Sequence, residues 1–304
     1  MKFNILSKRY WFFAFSLLLI IPGLIVLAIK GMPLSIDFTG GTMLQLQFAE
    51  GTRPEREELQ SVSEELGLTG CTVQTSGDDM VIVRSEYLSD ETITTYINAI
   101  AEKYGQDPEA LQYSIESVGP SVGSEVAKRA FWAVAAAGLG VVLYIWFAFR
   151  SIPNSFRYGI CAIIAMIHDS LIVISLSAFG QFWGWQFSSL TLTALLTVIG
   201  FSVQDKIVVF DRIRENSRIL PHVDYETLVN HSIVQTLERS INTQLMTSEF
   251  MLLSMALLGG SSLRDFSVIL LVGLLMGTYS SIFIAAPLLV VWEKQEWKTW
   301  FKKA

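Results

Sequence analysis

Runs of about twenty apolar residues recur along the chain, and a helix rising about 1.5 Å per residue needs roughly that many to cross a hydrocarbon layer of about 30 Å. Six windows qualify: Tyr10 to Ile29, Ala130 to Phe149, Tyr158 to Phe179, Leu190 to Phe210, Thr243 to Leu258 and Val268 to Trp292. Each predicts a membrane-spanning helix. The first follows Lys2, Lys8 and Arg9 as a signal sequence would, but it is too long for one, and its exit, Ala28-Ile29-Lys30-Gly31, carries no A-x-A cleavage site. It is expected to remain as an uncleaved anchor that sends the next segment outward.

That next segment, Gly31 to Glu125, changes period. Thr42 to Phe48 alternates as a strand, and Pro54 to Leu66 places Leu59, Val62 and Leu66 at helical spacing. Strand patterns follow at Cys71 to Thr75 and Met80 to Val83, parted by the turn signal Ser76-Gly77-Asp78-Asp79. A second helix is predicted over Asp90 to Tyr104 with Ser89 as its N-cap, and Leu111 to Val118 alternates again. Strand, helix, strand, strand, helix, strand is the order of the ferredoxin-like split βαβ scaffold, which carries no function of its own. The expected architecture is a polytopic α-helical membrane protein with six transmembrane helices and one ferredoxin-like α+β extracytoplasmic domain. Its parts are an N-terminal end with the first helix (1–30), the outer domain (31–125), a five-helix bundle (126–292) and a tail (293–304).

Composition agrees with a membrane protein: 51% of the residues are hydrophobic and 16% charged, where a soluble domain usually has about a quarter charged. A wholly soluble enzyme is excluded. The formal charge of -6 argues against a basic nucleic-acid binder. The outer segment holds 17 Asp or Glu against 4 Lys or Arg, a net -13, which leaves the rest of the chain at about +7. That polarity orients the protein, because cytoplasmic loops retain Lys and Arg. An inside N-terminus puts 14 of the 22 basic residues on the cytoplasmic side, and the short outer loops Gly180 to Phe187 and Gly259 to Asp265 hold only Arg264. Both termini are therefore expected to be cytoplasmic. The acidity of the outer domain is read as a solubility device. Cys71 and Cys161 fall on opposite sides of a solvent boundary, so neither a disulfide nor a thiolate metal site is expected, and no cofactor is called for.

Ionisable residues at membrane depth cost roughly 2.5 to 3.5 kcal/mol each and are functional candidates by default. Asp205 and Lys206 interrupt the fourth window, after Gln204. Aspartate is too short to reach the headgroups from there. Adjacent helical residues point about 100° apart, so Lys206 is a poor partner for it. Arg239, which the topology returns to the same inner depth, is the better counter-charge, and it heads a polar stripe of Asn242, Thr243 and Thr247. Such a stripe also suits interhelical packing. Asp169 lies mid-way along the third window beside His168, where a satisfied core pair and a functional pair are equally open readings; Glu249 has no context. Gly273 and Gly277 form a GxxxG pair, read as packing. Gly40, Gly41, Gly119 and Gly123 sit where the outer domain meets its two flanking spans and are read as hinge or turn positions.

These segments carry a resemblance. Asp37-Phe38-Thr39-Gly40-Gly41 resembles the DFTGG signature of the SecF family, accessory membrane subunits of the bacterial Sec protein-export machinery, and Val118 to Gly123 resembles its VGPxVG junction. Gly200 to Asp205 with Val208 to Glu215 resembles GYSxND…VVFDRIRE, and Arg239 to Thr243 resembles RTINTS. The chain departs from the family at Gln204, where Asn is usual, and at Lys206, where a small hydroxyl residue is usual; an ammonium there is expected to hold Asp205 ionised or tune its proton affinity. The resemblance implies a six-span half of a transporter-like unit, related to resistance-nodulation-division exporters and completed by SecD. The pair is expected in the bacterial inner membrane, among its lipids and beside the SecYEG channel, drawing the translocating preprotein outward with the proton-motive force. Asp205 would accept the proton opposite Arg239. The rival is a proton-coupled exporter of small molecules or lipids, which usually carries twelve spans and two large outer domains. An intramembrane protease is not expected, since neither a YD nor a GxGD aspartate motif is present.

Overall fold

The computed structural model describes residues 4–49, 52–68, 70–76, 79–105, 111–150, 155–244, 250–258 and 261–300. The chain divides into two compact units, Leu34–Trp132 and a second made of Met1–Pro33 with Ala133–Ala304.

The first unit opens with a single helical turn, Ile36–Thr39, capped by Ser35, whose hydroxyl accepts from the Asp37 amide at 3.3 Å. Four strands follow, β1 (Gly41–Gln47), β2 (Thr72–Ser76), β3 (Met80–Ser85) and β4 (Gln112–Val118), with one helix (Arg56–Glu65) between β1 and β2 and another (Asp90–Lys103) between β3 and β4. They form one antiparallel sheet in the order β2-β3-β1-β4, with Leu44 opposite Val83 on one side and Ile115 on the other. Each strand-helix-strand unit is thus split by a strand of the other. The alternation sets the core: Leu44, Leu46, Val73, Val81 and Val83 of the sheet bury against Leu59 and Val62 of the first helix and Ile93, Tyr96, Ile97 and Ile100 of the second. Between the helices, the Tyr96 and Ser63 hydroxyls bond at 2.8 Å, and burial pushes the Tyr96 hydroxyl up to about 12.

The two glycine signatures meet inside this unit. Gly40 (φ +74°) and Gly41 (φ +137°) occupy backbone conformations that disfavour side chains. A Cβ on Gly40 would stand 2.7 Å from the Pro120 Cα, and one on Gly123 2.5 Å from the Gly40 amide nitrogen. Gly119 lies in open space.

The second unit is helical. Here the long helices are α1 (Arg9–Lys30), α2 (Pro120–Phe149, whose first residues belong to the other unit), α3 (Ser155–Gly180), α4 (Ser189–Ile219), α5 (Tyr225–Gln244) and α6 (Ser261–Ser280); a shorter helix, Phe250–Leu258, lies between α5 and α6. After α6 the chain makes a π-helical stretch, Ser281–Ala285, and continues as α7 (Ala286–Glu293). Five segments among the described residues are long and apolar enough to cross a membrane: Leu6–Lys30, Pro120–Phe149, Ser155–Trp183, Ser189–Ile219 and Leu263–Glu293. The window expected from Thr243 to Leu258 differs. Its described parts are the C-terminal end of α5 and the short helix Phe250–Leu258, and a helix of nine residues rises only about 14 Å, about half of a hydrocarbon core.

Small residues let these helices approach. A Cβ on Gly23 of α1 would fall 1.9 Å from the Ser175 hydroxyl of α3, which donates to the Leu19 and Ile20 carbonyls. Gly273 and Gly277 of α6 face Val198 and Ser202 of α4. At one end of the unit, Arg9 pairs with Glu296 at 2.5 Å and Glu226 at 3.1 Å, and Lys294 bonds Glu226 at 2.5 Å. The Lys294 hydrogen bond is the main cause that holds the Glu226 carboxyl below its ordinary range. Cys71 and Cys161 are buried free thiols, one in each unit.

Candidate functional site: a buried charge cluster among α3, α4, α5 and α6

Helical spacing sends three buried polar residues in the middle of α4, Ser202, Asp205 and Lys206, in two directions. Ser202 and Lys206, four apart, share a face, while Asp205 points away from Lys206 by about 100°. The Lys206 ammonium reaches Asp169 of α3 with Nζ to Oδ2 at 2.7 Å, and both side chains are 0% exposed. The same oxygen accepts from Ser280 at the end of α6 at 2.8 Å and, closer still, from Ser202. The other oxygen meets His168 Nδ1 at 2.9 Å. Both oxygens of Asp169 are therefore engaged, one of them by an ammonium group.

Asp205, 7% exposed, is held differently. Ser240 of α5 donates to Oδ1 at 2.7 Å and Ser281 donates to Oδ2. Among the described residues no cation lies within ion-pair distance of it. Ser280 and Ser281 are neighbours in sequence yet bind the two different carboxylates, and the π-helical stretch that starts at Ser281 lies at that junction. Such widened turns occur mostly at functional sites.

Arg239 does not sit opposite Asp205 in this structure. It is exposed, and its neighbour Ser240 faces the carboxylate instead. One residue along a helix is a turn of about 100°, so the two cannot both face it. Gln204 is exposed and lines a groove with Gly140, Tyr144 and Gly200. Asn242 is exposed; the side chain of Thr243, and Thr247 and Glu249 altogether, lie outside the described residues. Of the expected residues, Asp169 and Lys206 are thus brought together, Asp205 stands beside them on α4, and Arg239 and Asn242 lie apart. The four serines, Ser202, Ser240, Ser280 and Ser281, were not singled out from the sequence. Their one signal is a polar residue within an otherwise apolar run, shared by many packing serines.

Long apolar helices packed around buried ionisable side chains, with a small α/β unit inserted after the first of them, define a polytopic membrane protein with a polar intramembrane centre. Residues 97–295 match the family described as Protein export membrane protein SecD/SecF, C-terminal, and residues 25–51 match the SecD/SecF GG Motif. The chain belongs to the SecD/SecF family. It is 58% identical over 301 residues to the protein translocase subunit SecF of Anaerolinea thermophila, covering 99% of this chain and 97% of that one. It is 42% identical to the SecF of Thermobaculum terrenum, with 99% and 97% covered. The crystal structure of SecDF from Thermus thermophilus, titled a translocon-associated membrane protein, superposes with a TM-score of 0.83 at 37% identity, covering 97% of this chain. The chain spans 39% of that SecDF.

Proposed function

We propose that this chain is a SecF-type subunit of the bacterial Sec translocase that acts with a SecD-type partner and uses the proton-motive force to promote protein export. The near full-length likeness to translocase subunits named SecF supports the subunit, and the likeness to one part of SecDF supports the partner. In this reading the protein lies in the inner membrane, among its lipids and beside the SecYEG channel, with both termini cytoplasmic. The end of α5 and the helix Phe250–Leu258 together serve as a sixth span. The four-stranded sheet and its two helices form a ferredoxin-like outer domain that moves, as the preprotein emerges, about hinge positions at Gly40, Gly41, Gly119 and Gly123.

One observation carries the mechanism: of two neighbouring buried carboxylates, Asp169 is bound to an ammonium and Asp205 only to hydroxyls. A proton on Asp169 would break an ion pair, whereas Asp205 can gain one by rearranging two hydroxyl bonds. Asp205 is therefore the proton carrier. Arg239 is its counter-charge in the state where Ser240 lets go, with Asn242, Thr243 and Thr247, which follow it in the sequence, supporting the exchange. Gln204 and Lys206 flank the carrier, and Lys206 keeps Asp169 charged. One elementary charge crossing 100 mV yields about 2.3 kcal/mol, so a few protons per cycle suffice to move a domain.

Inverted membrane vesicles containing the full complex test this. Asp205→Asn should abolish the stimulation of preprotein transport by the proton-motive force and leave small-molecule efflux unchanged. Preserved stimulation with reduced efflux would overturn the reading in favour of a small-molecule exporter.

A further inference from the structure

The mechanism above uses Asp205 and leaves a second titratable group unemployed. His168 of α3 is 8% exposed. Its Nδ1 lies 2.9 Å from Asp169 Oδ1, while its Nε2 is buried and has no hydrogen-bond partner among the described residues. A carboxylate accepts and does not donate, so the neutral ring carries its proton on Nδ1 and the lone pair on Nε2. The ring is oriented by a carboxylate, and its unpartnered Nε2 is the position at which it would take up a proton. Buried side-chain polar atoms are mostly hydrogen-bonded, which sets the open Nε2 apart from a ring held only for packing.

The charges around the ring are few. On its own helix, His168 faces Asp169, which Lys206 of α4 neutralises; Asp205 is the other charge in the middle of α4, while Asp211, Arg212, Arg214, Glu215 and Arg218 stand towards its C-terminal end, where Arg212 pairs with Glu215 and Arg214 with Asp211. Tyr279 of α6 stacks on the ring at 6.4 Å and donates its hydroxyl to the Phe12 carbonyl of α1. Between Tyr10 and Lys30, α1 offers no titratable side chain. Glu293 of α7 is engaged by Arg157 near the start of α3. With His168 neutral and both carboxylates ionised, Asp169, Asp205 and Lys206 sum to one excess negative charge. A single proton cancels it, at Asp205 or at His168 Nε2. The adjacent serines Ser280 and Ser281 tie the two carboxylates into one hydrogen-bonded body, so the two positions feel each other.

We infer that His168 is a second proton-binding station of this chain, oriented by Asp169, and that the buried cluster holds one proton shared between His168 and Asp205. This rests on Asp205 being a proton carrier. Protonation at one site disfavours protonation at the other, so the cluster alternates between two neutral arrangements and a charged one.

The test is nitrogen NMR of the full chain, labelled at its 3 histidines, in lipid nanodiscs across a pH series. The His168 signal is assigned by its loss in His168→Gln. In the wild type, the neutral ring should show Nδ1 protonated, with Nε2 gaining a proton as the pH falls. In Asp205→Asn the cluster lacks the excess charge, and the doubly protonated fraction at a fixed acidic pH should fall about threefold or more. Nε2 protonated throughout the series, or coincident curves for wild type and Asp205→Asn, would overturn the inference. The wild-type series needs no variant to fold. A normal NMR response together with unimpaired export in Asp205→Asn would instead leave His168 as a proton site and overturn the export mechanism alone.

Discussion

Replacing Lys206 by Met removes the cation from a fully buried pair and leaves Asp169 behind. The side chains are 0% exposed and joined at 2.7 Å, and stripping one partner from such a pair costs about 3–5 kcal/mol. Ser202, Ser280 and His168 still bond Asp169, which places the expected loss near the lower figure, about 3 kcal/mol. The thiol of Cys161 reports it. That residue is buried in α3, two turns before Asp169, and Cys71→Ser leaves it as the single cysteine. A loss of about 3 kcal/mol raises the population of open states, and hence the rate of thiol labelling in nanodiscs, on the order of 100-fold. Adding Asp169→Asn to Lys206→Met removes the stranded charge and should recover most of the protection. A rate increase below about threefold, or a double variant no better protected than Lys206→Met alone, would refute the reasoning from a buried, mutually dependent pair.

Three further outcomes follow from the packing. Gly123→Ala pushes a methyl to within 2.5 Å of the Gly40 backbone, so thermal melting of the full chain should show a loss of about 1–3 kcal/mol; unchanged melting would mean the two glycine motifs do not touch. Gly273→Leu drives a side chain into Val198, where even a Cβ would lie 2.3 Å from Cγ2, and should abolish cysteine cross-linking between α4 and α6 that the wild-type glycine permits. Tyr96→Phe forfeits the bond to Ser63, whose hydroxyl keeps the Leu59 carbonyl at 2.7 Å, at a cost of about 1 kcal/mol. Because burial raises the Tyr96 hydroxyl to about 12 from about 10 when unfolded, its contribution is complete below pH about 10 and is lost as the pH climbs towards about 12. Melts over that range should fall more steeply for the wild type than for Tyr96→Phe.

How much of this was legible depends on whether a property is local. The strands and helices of the small unit follow from alternation, and Ser89 caps its helix as expected, accepting from the Thr92 amide at 3.3 Å. The long spans follow from length alone, although α2 begins at Pro120, ten residues before the apolar window, because helix formation does not stop where hydrophobicity does. Asp205 stood out as a charge in an apolar run, and Lys206 was separable from it by helical geometry. The partner of Lys206 was not: Asp169 is 37 residues away on another helix, and periodicity says which face a residue occupies, not which helix that face meets. The same gap explains Ser240. A stripe headed by Arg239 and a stripe one residue on are both polar, and only the packing of α5 on α4 selects the second. The π-helical turn that splits Ser280 from Ser281 has no sequence signature at all.

The central claim is that Asp205, and not Asp169, exchanges a proton inside the bilayer. Infrared difference spectroscopy of the full chain in lipid, recorded across a pH step, sees the carbonyl stretch of a carboxylic acid appear or vanish. The band should disappear in Asp205→Asn and survive in Asp169→Asn. A band that survives in Asp205→Asn and is lost in Asp169→Asn would contradict it.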